Sequence, residues 1–155
     1  MSTFAEPRVR YKSFVYRASC EWLGRRIVRV EASGKPSLLI SAPPEFKGEN
    51  GFWSPEELFV AAVDGCVTMS FAAHVQLHDL PVEAYFSEAI GHLEFFEGAY
   101  RVTKLTLKPT IIVTAAESAP LVEHALQASV HECSIARSVR SEIELQPDIQ
   151  ISRPQ

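Results

Sequence analysis

The sequence contains few cysteines, and no two of them have CxxC spacing. The three thiols, Cys20, Cys66 and Cys133, are too few and too scattered in 155 residues to form a disulfide framework. The first ten residues lack an apolar signal segment, and no stretch approaches the length that a bilayer-spanning helix needs. These absences predict a cytoplasmic protein with no membrane partner. In that reducing compartment, two thiols that act together are catalytic or metal-binding.

A basic stripe, an internal repeat and a low-complexity segment are also lacking. Fifteen Lys and Arg residues stand against nineteen Asp and Glu residues, which gives a formal net charge of −4. The basic residues are spread along the chain, so we expect no nucleic-acid partner. Neither half differs from the other in composition, which predicts a single domain over residues 1–155.

Alternating polar and apolar residues predict two β-hairpins. The first is expected from residues 8–19 and 25–31, and the second from the longer runs 84–96 and 100–114. A last strand is predicted at residues 142–145.

The clearest helix start lies at Ser54-Pro55-Glu56-Glu57. Ser54 is suited to the N-cap, Pro55 to the first helical position, and Glu57 to the return arm of a capping box. Apolar and small residues then continue to about Leu77 on more than one face, which predicts a central, buried helix.

A second helix is predicted from Ala119 to His131, with Ser118 as its N-cap and Cys133 just beyond its end. A short helical stretch is expected from Ala136 to Val139.

A cysteine is a useful nucleophile only as the thiolate, and Cys66 lies too deep in its helix to benefit from the helix dipole. Burial would raise its pKa, so a cation is expected nearby. The candidates are Arg25, Arg26 and Arg29, of which strand alternation would place Arg25 and Arg29 on one face. Glu56 is the carboxylate best suited to orient such an arginine.

Ten residues separate Glu56 from Cys66, which corresponds to roughly 15 Å along a helix. One chain therefore cannot easily bring both side chains to one point. The spacing predicts an obligate homodimer, in which Glu56 and its arginine serve the Cys66 of the second subunit.

Three motifs together resemble the OsmC/Ohr family, and the resemblance covers nearly the whole chain. The segment from Pro55-Glu56 to Gly65-Cys66 is similar to the family's Pro-Glu pattern ten residues before a helical cysteine. His131-Glu132-Cys133 is similar to the context of the second family cysteine, and Gly24-Arg25 precedes the Ser33-Gly34 turn as in the family.

The resemblance implies an OsmC-like α+β fold, with antiparallel sheets packed on a long central helix in an intertwined homodimer. It also implies a thiol peroxidase that reduces organic hydroperoxides without a cofactor or metal. In this family Cys66 would attack the peroxide and pass through a sulfenic acid, Cys133 would resolve it as a disulfide, and Arg25 with Glu56 would activate Cys66. A dithiol such as a dihydrolipoyl group would then reduce the disulfide.

Two alternatives stay open at the level of sequence. Arg26 or Arg29 could take the place of Arg25, and Cys20 is expected to be a structural strand residue. The chain could also be a non-catalytic OsmC-like stress protein that binds an apolar ligand at the dimer interface. Zinc ligation is disfavoured, because the histidine spacing does not match a zinc motif.

Overall fold

The computed structural model describes residues 11–153. They form two compact units, one that ends at Phe52 and one that begins at Trp53. The sequence expectation of a single domain over residues 1–155 stays a prediction.

The N-terminal unit contains a three-stranded antiparallel sheet in the order β1-β2-β3. Its strands are β1 (Ser19–Gly24), β2 (Ile27–Glu31) and β3 (Leu38–Ser41). The predicted strand over residues 8–19 is wrong for residues 11–18, which form no strand, and residues 8–10 lie outside the described part. Alternation alone does not make a strand, because the backbone also needs a neighbouring strand with which to pair.

The second unit is built from two helices and a four-stranded mixed sheet. Its elements are α1 (Pro55–Leu77), β4 (Val82–Phe96), β5 (Ala99–Val113), α2 (Ala119–Glu132), β6 (Glu142–Leu145) and β7 (Asp148–Ile151). β4 pairs antiparallel with β5, whereas β6 and β7 both pair parallel with β5. The α+β fold class is confirmed, and β7 is an additional strand that the sequence pattern did not predict.

The long β4–β5 hairpin is confirmed, and it closes through a tight two-residue turn. Glu97 and Gly98 both have positive φ angles, of 49° and 85°. Two successive positive φ values are typical of a type I′ turn, whose twist matches the twist of the two paired strands. The register set by this turn extends to the pair Leu93 and Val102, beyond which an irregularity between His92 and Leu93 shifts the pairing by one residue.

The start of α1 has the predicted capping box. The Glu57 main-chain N–H donates to the Ser54 hydroxyl at 3.1 Å, and the Ser54 N–H donates to the Glu57 carboxylate at 2.8 Å. Pro55 occupies the first turn, where its missing N–H removes no helical hydrogen bond. The helix ends at Leu77, with His78 as its C-cap.

Ser118 is the N-cap residue of α2, as predicted, but its side chain forms no capping hydrogen bond. Ser118 has helical angles, and its hydroxyl donates to the Ala115 carbonyl at 2.5 Å instead of capping the helix. A short 3-10 turn, Ala116–Ser118, continues directly into α2 and takes the place of a side-chain cap.

The core lies between β5 and one face of each helix. Alternate residues of β5 point into it, because side chains of a strand alternate between the two faces of a sheet. The buried apolar side chains are Leu105, Leu107, Ile111 and Val113 from β5, Val63, Val67 and Phe71 from α1, and Val122, Ala125 and Leu126 from α2.

The prediction of a central, buried helix holds for only one face of α1 within the chain. Its buried residues lie on a single face, and Met69 and Leu77 on the other side are 69% and 76% exposed. The exposed face otherwise consists mainly of small residues, namely Ala61, Ala62, Gly65, Ala72 and Ala73. A nearly continuous apolar run therefore predicted the helix but not which of its faces is covered within one chain.

The expectation that no segment approaches the length of a membrane span is also wrong. α1 has 23 residues and a mean hydropathy of 1.6 over its most apolar window. By length and composition alone, it is therefore long and apolar enough to cross a membrane. This is weak support for a span, because core helices of water-soluble proteins have the same composition. Here α1 contributes Val63, Val67 and Phe71 to the core.

One close contact joins α1 to β4. A Cβ atom added to Gly91 would lie 2.5 Å from Cγ2 of Val60, which is far inside van der Waals contact. Glycine at this position allows the strand to approach the helix.

Candidate functional site

The structure brings Cys66 and Cys133 together. Cys66 lies midway along α1 and is half-buried, and Cys133 follows the last residue of α2 and is 1% exposed. Both belong to the apolar cluster between the two helices and β5, in which Cys66 packs against the buried residues that include Cys133. The three cysteines, Cys20 included, are free thiols.

Residues after α2 supply further donors to Cys66. The main-chain N–H of Ile135 and the hydroxyl and main-chain N–H of Ser134 act to lower the pKa of Cys66. The sequence interpretation did not include these groups. The available signal was a small polar residue, Ser134, directly after the helix-ending Cys133.

These contacts give the two thiols opposite pKa shifts. Burial acts to raise the pKa of Cys66, but the hydrogen bonds from Cys133, Ile135 and Ser134 outweigh it and hold that pKa below 9.0. Burial and the hydrogen bond to Cys66 raise the pKa of Cys133 above 9.0. The pair is therefore suited to one thiolate at Cys66, held by a protonated Cys133.

Cys133 is fixed by the turn in which it lies. Its sulfur accepts a hydrogen bond from the Ala136 N–H at 3.3 Å, and its carbonyl accepts one from the Arg137 N–H at 3.0 Å. The predicted helical stretch near this point is confirmed as a short 3-10 turn, Ala136–Ser138.

Glu56 lies at the N-terminal end of the same helix, away from the thiols. It lines a cavity of about 500 Å³ together with Arg101 and Arg140. Oε2 of Glu56 and Nε of Arg101 are buried and form no hydrogen bond within residues 11–153. Glu56 is not among the groups that hydrogen-bond to Cys66. Its carboxylate is thus left available to a group from outside this part of the chain.

Arg25 lies in the N-terminal unit, in the turn between β1 and β2. Its φ of 47° and its place outside both strands correct the prediction that it alternates with Arg29 on one strand face. The Arg25 guanidinium pairs with Glu49 at 3.2 Å and is 82% exposed. The sequence pattern predicted the second strand from residue 25, whereas β2 begins at Ile27, so Arg25 lies in the turn that follows Gly24.

The other two candidate arginines also lie in the N-terminal unit. Arg29, in β2, forms an ion pair with Glu21 of β1, and Arg26 is an exposed turn residue. Cys20 lies in β1 as predicted and is exposed.

One histidine links the two helices near the thiols. Nε2 of His74 in α1 lies 2.9 Å from the carboxylate of Glu132, the residue before Cys133. Within residues 11–153, no group of three or more His, Cys, Asp or Glu side chains is placed to hold a metal ion.

Comparison with known proteins agrees with the motifs. The family model described as OsmC-like protein matches residues 48–148. The uncharacterized protein YmaD of Bacillus subtilis is 24% identical over 129 residues, which cover 81% of this chain and 86% of that protein.

Solved structures extend the similarity to the fold. An OsmC-like protein of unknown function from Vibrio cholerae is 25% identical with a TM-score of 0.80, over 87% of this chain and 99% of that one. An organic hydroperoxide resistance protein from Elizabethkingia anophelis is 17% identical with a TM-score of 0.72, over 91% of this chain and 99% of that one, and its likeness is one of fold. The family match spans more than half of the chain and confirms the resemblance seen in the sequence: this chain belongs to the OsmC-like protein family.

Proposed function

We propose that this protein is a thiol peroxidase that reduces organic hydroperoxides. The observation that carries the proposal is the contact between Cys66, whose pKa is lowered, and Cys133, whose pKa is raised. Family membership supports it, because structural relatives are named organic hydroperoxide resistance proteins. The lowered pKa makes Cys66 the attacking thiolate. The raised pKa of Cys133 keeps that thiol protonated until it attacks the oxidised Cys66.

The reaction would proceed in two steps on sulfur. The Cys66 thiolate attacks the terminal oxygen of the hydroperoxide, the O–O bond breaks, and the alcohol leaves after it takes up a proton. Cys66 is then a sulfenic acid. The Cys133 sulfur attacks it, an S–S bond forms and water leaves. The packing of both thiols in one apolar cluster indicates that this second step needs little movement.

An external dithiol would complete the cycle. It reduces the Cys66–Cys133 disulfide by thiol–disulfide exchange and is itself oxidised to a disulfide. A dihydrolipoyl group has this chemistry. The proposed location, the cytoplasm, would supply such a reductant.

We assign Glu56 and Arg25 to the site of a second subunit in a homodimer. Glu56 and Cys66 are roughly 15 Å apart along α1, so one chain does not unite them. The buried Oε2 of Glu56 has no donor within residues 11–153, which leaves it available to an arginine or a hydroperoxide. The exposed small-residue face of α1 fits the close approach of a second helix.

A second candidate function is the binding of an apolar ligand without catalysis. A cavity of about 470 Å³ lies beside the N-terminal half of α1, with Trp53, Val60, Ile90 and Leu93 in its walls. It contains neither cysteine. In that case the thiols would be vestigial.

Intact-mass measurement distinguishes the two functions. The reduced protein is exposed to cumene or tert-butyl hydroperoxide, and the parent should lose two hydrogen atoms as the disulfide forms. Cys133→Ser should instead gain one oxygen atom and stop at the sulfenic acid, and Cys66→Ser should not react. Cys20→Ser is the matched control, because it removes an exposed thiol of the other unit. Oxidation no faster than that of a free thiol would refute the peroxidase.

A further inference from the structure

We propose that His74 and Glu132 are positioning residues, whose contact holds Cys133 beside Cys66 while the disulfide forms. Nε2 of His74 in α1 donates to the carboxylate of Glu132 in α2 at 2.9 Å, since a carboxylate only accepts. Glu132 directly precedes Cys133, so the bond acts on the residue next to the second thiol. The inference rests on the proposed peroxidase and extends it from the thiols to the contact that places them.

The position of Glu132 is not explained by its own helix. A carboxylate in the last turn lies at the negative end of the helix dipole, which disfavours Glu132 at this point of α2. The side chain of His74 is 16% exposed, and its ring stacks on that of His78 with the two centroids 5.7 Å apart. His74 therefore offers Glu132 a partner that is already held in place.

The bond adds direction to the apolar contact between the two helices. Side chains of α1 and α2 share two apolar clusters, one of which contains Cys66 and Cys133. Hydrophobic packing does not fix the direction of a contact, whereas a hydrogen bond requires a defined distance and angle. His74 lies about two helical turns beyond Cys66, or roughly 12 Å along α1, so the end of α2 is held to α1 at two separate points.

Modification of Cys66 strains this contact. Cys133 is buried in the same cluster as Cys66, so an atom added to the Cys66 sulfur has to be accommodated by neighbours that are already close. The end of α2 can make room by moving away from α1, which would carry Cys133 out of reach. The bond between His74 and Glu132 opposes that movement, so its effect should be largest after Cys66 has been modified.

The test uses a reagent that separates the reactions of the two thiols and contains no hydroperoxide. In a Cys20→Ser background, which removes the exposed third thiol, the Cys66 thiolate attacks the S–S bond of dithiodipyridine. Cys66 becomes a mixed disulfide, and one thiopyridone leaves. Cys133 then loses its proton to solvent and attacks the Cys66 sulfur, the protein disulfide forms, and a second thiopyridone leaves. Only the first phase of absorbance change depends on the concentration of the reagent.

Loss of the hydrogen bond should slow the second phase alone. His74→Ala and Glu132→Ala should each slow it by about threefold to tenfold and leave the first phase within about twofold of the parent. His74→Gln should restore the parent rate, because its amide N–H takes the place of Nε2. The double alanine variant should be no slower than either single variant, since the same bond is lost in all three.

Glu123→Ala is the matched control, because it removes an exposed carboxylate from α2 and leaves His74 with its partner. Both of its phases should equal those of the parent. An unchanged second phase in the two alanine variants, losses that add in the double variant, or an equal change in both phases would overturn the assignment. The reagent is not a hydroperoxide, so the measurement decides the role of the pair even if the protein proves to reduce none.

Discussion

At the scale of single residues, the surroundings of Cys66 differ from what its sequence position suggested. A thiol in the middle of an apolar helix was expected to need an arginine, since burial opposes ionisation. Within one chain, Cys133, Ile135 and Ser134 already lower its pKa, before an arginine of a second subunit is considered. A positive charge and a set of donors have the same effect on a thiolate, but only the first is visible as a residue type in a sequence.

Glu56 and Glu57 provide a matched pair, because they are adjacent carboxylates with different surroundings. Glu57 completes the capping box, whereas Oε2 of Glu56 has no hydrogen-bond partner within residues 11–153. We expect Glu57→Ala to cost about 1 kcal/mol in the free energy of unfolding, measured with urea, and to leave peroxide reduction nearly unchanged.

Glu56→Ala should give the reverse result. Peroxide reduction should fall roughly tenfold or more, because the carboxylate that orients the activating arginine is lost, while the urea midpoint should change little. A loss of stability equal to that of Glu57→Ala, with full activity, would show that Glu56 serves only the helix N-terminus.

At the scale of elements, regular structure followed the sequence wherever local chemistry decides it. The start of α1, its end at His78 and the β4–β5 hairpin were all predicted, since caps and turns depend on adjacent residues. The sequence wrongly predicted a strand over residues 11–18 and did not predict which face of α1 is buried. Both features depend on partners that are distant in the sequence. β7 was not predicted, although β6, which is equally short, was.

The contact between Gly91 of β4 and Val60 of α1 can be tested by a double-mutant cycle. Gly91→Ala should destabilise the protein by about 1–3 kcal/mol, because the new Cβ would overlap Cγ2 of Val60. Val60→Ala removes that atom. The double variant should therefore lose less free energy of unfolding than the two single variants lose in sum. Additive losses in thermal or urea unfolding would contradict the close packing of strand and helix.

At the scale of the whole molecule, the exposed face of α1 is the feature that a single chain leaves unexplained. Met69 and Leu77 are 69% and 76% exposed, and the other exposed residues of this helix face are mostly small. Burial of such a face against a second copy would remove apolar area from water and allow the two helix backbones to come close. The proposed homodimer follows from this face and from the spacing of Glu56 and Cys66.

Light scattering tests the dimer directly. The parent should have twice the mass of one chain, and Ala62→Arg should shift it to the monomer and abolish peroxide reduction, because a long charged side chain keeps the helices apart. Gln127→Arg makes the same charge change on an exposed position of α2 and should remain dimeric and active. A parent that is monomeric and fully active at nanomolar concentration would refute shared sites.

The three helical turns between Glu56 and Cys66 also have a genetic consequence. In the proposed dimer each α1 donates its thiol to one site and its carboxylate to the other. A chain without Cys66 and a chain without Glu56 would each be inactive alone, but when they are combined one of the two sites is complete. Two loss-of-function alleles of this protein would therefore complement each other within a single cell.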